Sequence, residues 1–216
     1  MSEKIEEIAG LPAVIDGPRR SQRTLVLAHG AGAGMQHEFM RDVASGVASA
    51  GIRVVRFEFP YMAARREGVR RGPDREAVLR ASWGGVIASL GDPARLVIGG
   101  KSMGGRYASM VADGEGVAGV VCLGYPFHPP GRPDRLRTAH LERQRTPTLI
   151  LQGERDTMGT RAEVEGYSLS QAVRIHWLED GDHSLKPRKA SGHTTEEHLS
   201  TAVEATVAFV QERVEA

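Results

Sequence analysis

Ser102 is the residue of this chain best placed to do chemistry. It sits in Leu96-Val97-Ile98-Gly99-Gly100-Lys101-Ser102-Met103-Gly104-Gly105, where an apolar, β-like run stops at glycines and a helical pattern takes over. Gly100 to Gly104 reads as G-x-S-x-G, the spacing of a sharp strand-to-helix turn that holds a serine hydroxyl above a sheet. Glycines suit such a turn because a Cβ would obstruct its close backbone approach and unusual φ/ψ. A serine hydroxyl alone is a weak nucleophile and needs a base, which in turn needs an acid to orient it. Thr148-Leu149-Ile150-Leu151 leads into Gln152-Gly153-Glu154-Arg155-Asp156. Asp156 is the expected acid, with Glu154 and Asp134 as alternatives. Val173 to Leu178 leads into Glu179-Asp180-Gly181-Asp182-His183, and His183 is the expected base. Asp156 would hold the Nδ1 proton of His183, leaving Nε2 to accept from the Ser102 hydroxyl.

Such chemistry also needs donors for a developing alkoxide. Thr24 to Ala28 ends in His29-Gly30-Ala31-Gly32-Ala33-Gly34, a glycine-rich loop after an early strand. Its backbone N–H groups, with the N–H of the residue after the serine, can bind an oxyanion. Ala31 and Met103 are the expected donors, with Gly32 as the alternative to Ala31, and His29 reads as a structural hydrogen-bonder under the loop. Two phosphate-binding readings of these glycines fail on spacing. A P-loop ending at Gly100-Lys101-Ser102 would need glycine where Arg95 stands, and G-x-G-x-x-G starting at Gly30 meets Met35 at its sixth position. Asp182 and His183 have no second histidine nearby at ligand spacing, so no metal is expected. Gly32, Tyr61, Tyr125, Phe127 and His128 follow strand ends and are the candidates for lining a substrate pocket. Arg65, Arg66, Arg70, Arg71 and Arg75 form a basic run that reads as a solvated face or a surface that steers an anion.

The elements that must carry these residues alternate. Strands are predicted at Leu11 to Ile15, Thr24 to Ala28, Ile52 to Phe57, Leu96 to Gly99, Val117 to Leu123, Thr148 to Leu151 and Val173 to Leu178. Several are apolar throughout, as parallel strands buried on both faces are. Helical patterns cover Glu38 to Ala50, Asp74 to Leu90, Met103 to Ala112 and Thr195 to Glu212, the last behind a capping box at Thr194-Thr195-Glu196-Glu197. The alternation predicts an α/β domain with a mostly parallel sheet, occupying residues 1–216 as one domain. A net charge of +1 gives no reason to expect nucleic acid or an anionic membrane as partner. One cysteine, Cys122, rules out an internal disulfide framework and fits a reducing cytoplasm. Its place within Val120-Val121-Cys122-Leu123 makes it a core residue. Met1 to Glu7 is acidic without an apolar core, so no signal peptide is expected. No apolar run approaches the roughly 20 residues that cross a bilayer.

Several segments together resemble the α/β hydrolases, in the compact dienelactone-hydrolase-like form. They are HGAGAGM at His29 to Met35, RFEFPYM at Arg56 to Met62, GGKSMGGR at Gly99 to Arg106, LGYPFHPPG at Leu123 to Gly131, LILQGERD at Leu149 to Asp156 and GDHSLKP at Gly181 to Pro187. More narrowly, the chain resembles the hydrolase-like family that includes the α/β-hydrolase-like subunit of the animal NSL histone-acetyltransferase complex. The resemblance implies an α/β-hydrolase fold, a central sheet of about seven strands flanked by helices, and the roles given above to Ser102, Asp156 and His183. Dienelactone hydrolases proper carry cysteine at the elbow, where this chain has Ser102. The segment between Tyr125 and Pro147 is too short for a large cap domain, so an open, shallow site is expected. The expected function is a cytoplasmic serine hydrolase cleaving a small ester, thioester or related acyl substrate through an acyl-enzyme, with no cofactor. The alternative is an interaction scaffold with little or no turnover. Arg106 behind the elbow and Arg65 and Arg66 after Tyr61 suggest short, water-soluble esters, including acidic ones. Homo-oligomerisation is left open.

Overall fold

The computed structural model describes residues 3–214. Eight strands form one sheet in the order β1-β2-β4-β3-β5-β6-β7-β8: β1 (Glu6–Ile8), β2 (Leu11–Asp16), β3 (Thr24–Ala28), β4 (Arg53–Phe57), β5 (Leu96–Lys101), β6 (Gly119–Leu123), β7 (Thr148–Gly153) and β8 (Val173–Leu178). The pairings of β1 with β2 and β2 with β4 are antiparallel, and the rest are parallel. The helices are α1 (Glu38–Ser49), α2 (Pro60–Arg66), α3 (Glu76–Leu90), α4 (Met103–Glu115), α5 (Arg161–Val164) and α6 (Thr195–Arg213).

The unbroken apolar character of the central strands follows from burial on both faces. Val26, Ile98, Val120 and Ile150 point to the side packed by Trp83 and Ile87 of α3 and Ala108 of α4. Leu27, Val97, Val121 and Leu151 point to the side packed by Val43 and Val47 of α1 and Phe209 of α6. Burying each such side chain is worth about 1.5–3 kcal/mol relative to exposure, so the sheet centre is the least deformable part of the fold. The carboxyl ends of β3, β5, β7 and β8 converge along one edge of that centre, where open parallel sheets carry their sites.

The eighth strand departs from the seven expected. β1 is short and acidic, and its hairpin turn is Ala9-Gly10 with positive φ at both residues (52° and 74°). Asn-Gly or Asp-Gly would have announced that turn, whereas alanine in a left-handed conformation carries no sequence signal. Two further elements are additions, α2 and α5, the first opened by Pro60 at its N-terminus. Helix α3 begins at Glu76 and not at Asp74, because the Asp74 carboxylate accepts from the Tyr61 N–H at 2.8 Å and pairs with Arg71. The expected cap of α6 is present. Thr194 Oγ1 accepts from the Glu197 N–H at 3.1 Å while Glu197 Oε2 accepts from the Thr194 N–H at 2.7 Å. Among the described residues no helix is long and apolar enough to cross a membrane.

Candidate active site

Strand β5 delivers Ser102 to a tight corner. Ser102 has φ 50° and ψ −114°, a conformation that non-glycine residues avoid. The corner is held by the Ser102 N–H donating to Leu123 O of β6 at 3.1 Å and the Arg106 N–H donating to Ser102 O at 3.0 Å. Its glycines are needed for approach. A Cβ on Gly100 would lie 2.0 Å from Ala28 O, and one on Gly104 would lie 2.3 Å from the same atom. Strand β3 and helix α4 therefore press together with no room for a side chain, and the serine is forced outward.

Ser102, His183 and Asp156 meet although 81 and 27 residues separate them along the chain. The Ser102 Oγ lies 2.8 Å from His183 Nε2, and His183 Nδ1 lies 2.6 Å from Asp156 Oδ2. Because Asp156 can only accept when ionised, Nδ1 carries the ring proton and Nε2 is free to accept from the hydroxyl. Asp156 is wholly buried. Its Oδ1 accepts from the Met158 N–H at 2.9 Å and its Oδ2 also accepts from Gln152 Nε2 at 2.9 Å. Gln152 is itself buried and locked, its Oε1 accepting from the Tyr125 N–H at 2.7 Å. The alternative acids lie elsewhere. Glu154 pairs with Arg161 at 2.8 Å and accepts from the Asp180 N–H. Asp134 is exposed and bound to Arg132.

The loop bearing His183 is built by Asp182, whose Oδ1 accepts from the Ser184 and Lys186 N–H groups. A second tie comes from Lys101, whose ammonium donates to the His183 carbonyl and lies 5.6 Å from the Phe39 ring centroid. Burial pulls its pKa down to about 8, against the opposing pull of Asp156 and Asp182.

The loop after β3 is fixed from beneath. Tyr61 Oη donates between Gly30 O at 3.2 Å and Ala31 O at 3.0 Å, and His29 Nδ1 also donates to Gly30 O at 2.7 Å. His29 Nε2 accepts from the Phe59 N–H at 3.1 Å, which sets the tautomer, and burial lowers the ring's pKa. In a trans peptide the C=O and N–H point in opposite directions. Holding the carbonyls of Gly30 and Ala31 towards Tyr61 therefore turns the N–H groups of Ala31 and Gly32 away from it. Among the described residues the N–H groups of Ala31, Gly32 and Met103 have no acceptor, and the Met103 N–H stands at the positive end of α4.

A cavity of about 620 Å³ opens onto Ser102 and His183, walled in part by Ala31, Gly32, Met103 and Arg106. Of the residues expected to line it, Gly32 does so. Tyr61, Tyr125, Phe127 and His128 do not: all four are buried beneath the site. The Tyr125 hydroxyl donates to Arg137 O at 2.9 Å and Phe127 packs over Gly159. Aromatic residues after strand ends here support loops from below, because the loops fold back over them. Residues 124–147, though short, contribute Pro126, Pro130 and Arg137 to the wall. Arg65 and Arg66 are absent from it: Arg66 binds Glu58 at 2.8 Å and Arg65 Nε donates to Arg71 O. Cys122 is wholly buried, with Sγ against Gly105 O, and burial pushes its thiol pKa up. The sequence reading missed Gln152, Lys101 and Arg137. Only Gln152 carried a signal, as a polar residue closing an otherwise apolar strand.

A family model described as an alpha/beta hydrolase domain matches residues 21–211. The chain belongs to the alpha/beta hydrolase family. Solved structures share the fold along its whole length. A dienelactone hydrolase from Anabaena variabilis aligns with TM-score 0.71 at 18% identity, over 99% of this chain and 98% of that one. A lidless a/b serine hydrolase from Xanthomonas campestris aligns with TM-score 0.69 at 17% identity, over 99% and 96%. The esterase domain of a Rhodothermus marinus protein aligns with TM-score 0.68 at 18% identity, over 98% and 99%. In this alpha/beta hydrolase the sheet has eight strands, and the candidate site lies at the carboxyl ends of β3, β5, β7 and β8.

Proposed function

We propose that this alpha/beta hydrolase is a serine hydrolase acting on a short ester, thioester or related acyl substrate. The carrying observation is the continuous relay from Asp156 through His183 to the hydroxyl of Ser102, at 2.6 and 2.8 Å, on a serine held at positive φ. Ser102 Oγ attacks the substrate carbonyl as its proton passes to His183 Nε2, and the buried Asp156 carboxylate stabilises the imidazolium. The alkoxide is received by the Ala31 and Met103 N–H groups. Collapse breaks the bond to the alcohol or thiol, which leaves with the proton of His183, and the acyl group stays on Ser102. Water then gives a proton to His183 and attacks the acyl carbonyl. The acid departs and Ser102 recovers its proton, so one water is consumed per ester cleaved. The descriptions of the structural relatives as serine hydrolase, dienelactone hydrolase and esterase are consistent with this chemistry.

The decisive experiment is labelling with a fluorophosphonate, followed by peptide mapping. Label is expected on Ser102 in the wild type and in Cys122→Ser, and none in Ser102→Ala. Label at another residue of Ser102→Ala would overturn the assignment. Absence of both label and ester turnover in the wild type would instead favour the scaffold alternative.

A further inference from the structure

Among the described residues, thirteen of the 24 arginines form ion pairs with carboxylates, including Arg56, Arg66, Arg71, Arg80, Arg132, Arg155, Arg161, Arg174 and Arg188. Arg106 and Arg137 differ. Both line the cavity beside Ser102, and among the described residues neither side chain makes an ion pair or donates a hydrogen bond. Arg106 Nε is shut off from solvent without a partner, and its guanidinium stacks 4.9 Å from the Tyr107 ring centroid. Arg106 stands four residues after Ser102, and its N–H donates to Ser102 O at 3.0 Å, so the two residues adjoin across the first turn of α4. Arg137 comes from the segment between β6 and β7 and faces Arg106 closely enough that, after its own burial, the Arg106 charge is the largest influence lowering its pKa. The same two charges act on Tyr125. Burial and the Arg106 charge also hold His140 down at about 4, so that ring stays neutral and adds no counter-charge. The acids around the pair are engaged elsewhere: Asp74 with Arg71 and the Tyr61 N–H, Glu76 with Arg80, and Asp113 with Thr146. Two like charges in one partly desolvated wall, with no anion of the protein between them, are destabilising for the free protein and are relieved by an anionic ligand.

We infer that Arg106 and Arg137 form a carboxylate-recognition site, and that the substrate is an ester carrying a free carboxylate a few carbons from the bond cut at Ser102. This rests on the hydrolase reading and narrows its substrate class. A guanidinium presents a planar fork that matches a carboxylate with two parallel hydrogen bonds. The neighbouring Pro126, Pro130 and Met158 supply an apolar wall for the short chain that joins the carboxylate to the ester.

The test compares kcat/KM for two matched pairs of esters. 4-Nitrophenyl hydrogen glutarate against 4-nitrophenyl pentanoate places the carboxylate on the acyl side. 4-Acetoxybutyrate against butyl acetate, followed by released acetate, places it on the leaving-group side. The wild type is expected to favour the acidic member of one pair by about tenfold or more, as charge-assisted hydrogen bonds allow. The preference should fall to about unity in the Arg106→Met/Arg137→Met double variant and survive in part in the two lysine variants. It should be unchanged in Arg132→Met, an exposed change on the same segment. Binding of monomethyl glutarate to Ser102→Ala protein, measured by calorimetry, reads the site without turnover and should be lost when Arg106 and Arg137 are also replaced. Equal rates within both pairs together with no binding, or a preference that persists in the double variant, overturns the carboxylate site. Failure of the hydrolase reading shows differently, as neutral-ester turnover no faster than that of Ser102→Ala, and the calorimetry then still decides the carboxylate site.

Discussion

At the scale of single residues, strain and hydrogen bonding at the site make separable forecasts. Ser102 sits at φ 50°, and such a conformation costs a non-glycine residue on the order of 1–3 kcal/mol. Ser102→Gly is therefore expected to raise the unfolding midpoint above that of Ser102→Ala, with both variants inactive. A midpoint equal to or below that of Ser102→Ala would show that the corner is unstrained. Tyr61 does its work through the Gly30 and Ala31 carbonyls, so Tyr61→Phe should lower kcat by about tenfold with little change in KM, a signature of support given to the transition state alone. A rise in KM at constant kcat would place Tyr61 in substrate binding instead. Lys101 bears on pH. Its folded pKa of about 8 lies below the ordinary 10.5, so the unfolded chain holds this proton more tightly than the folded one. Stability linked to Lys101 thus rises as pH climbs from about 8 towards 10.5. Urea unfolding at pH 7, 8, 9 and 10 should show the wild type gaining on Lys101→Met across that window; parallel curves would mean that the ammonium is well solvated.

At the scale of elements, two helical glycines with the same intrinsic propensity should respond oppositely to alanine. Gly46 lies within α1 where it crosses α6, and a Cβ there would sit 2.8 and 2.9 Å from the two γ-methyls of Val203. Gly114 near the end of α4 is exposed with nothing within 4 Å. Gly114→Ala should stabilise by about 0.5–1 kcal/mol. Gly46→Ala should destabilise by about 1–3 kcal/mol through overpacking, and Val203→Ala in the same chain should recover part of that loss. Denaturant midpoints of the four proteins check both statements. A stabilising Gly46→Ala would mean that α1 and α6 can slide apart without cost.

At the scale of the whole molecule, the amino-terminal hairpin is bolted to the sheet by Arg56. Its side chain is wholly buried, donating to Asp16 at 2.8 and 2.9 Å, to Met35 O at 2.6 Å and to Glu3 at 2.7 Å. Removing one partner of such a cluster leaves the others desolvated and unpaired. Arg56→Met should accordingly cost about 3–5 kcal/mol in urea unfolding, while a cost below about 1 kcal/mol would show that the hairpin is dispensable. The cavity of about 620 Å³ falls in the ordinary range of small-molecule sites, and its wall carries the charged side chains of Arg106 and Arg137. Rates over p-nitrophenyl esters of increasing length should peak at short chains, and a steady climb to long ones would reveal an apolar channel leading out of the cavity.

Local chemistry sufficed to read β3, β5, β7 and β8, the corner at Ser102, and the strand ends from which Ser102, Asp156 and His183 come together. These features are written in short windows: apolar runs, glycines that a close approach requires, and turn residues after each run. Which side chains face the cavity was decided only by the tertiary structure. Tyr61, Tyr125, Phe127 and His128 carry the composition of a pocket wall yet lie under the loops, because loop direction depends on contacts from distant segments. Arg56, the fourth residue of β4, is buried only because Asp16 of β2 and Glu3 ahead of β1 come within reach of its guanidinium. Arg106 and Arg137 show the same limit in reverse. Whether an arginine is paired or left free depends on which carboxylates the fold brings within reach, and that is set by packing across the whole chain.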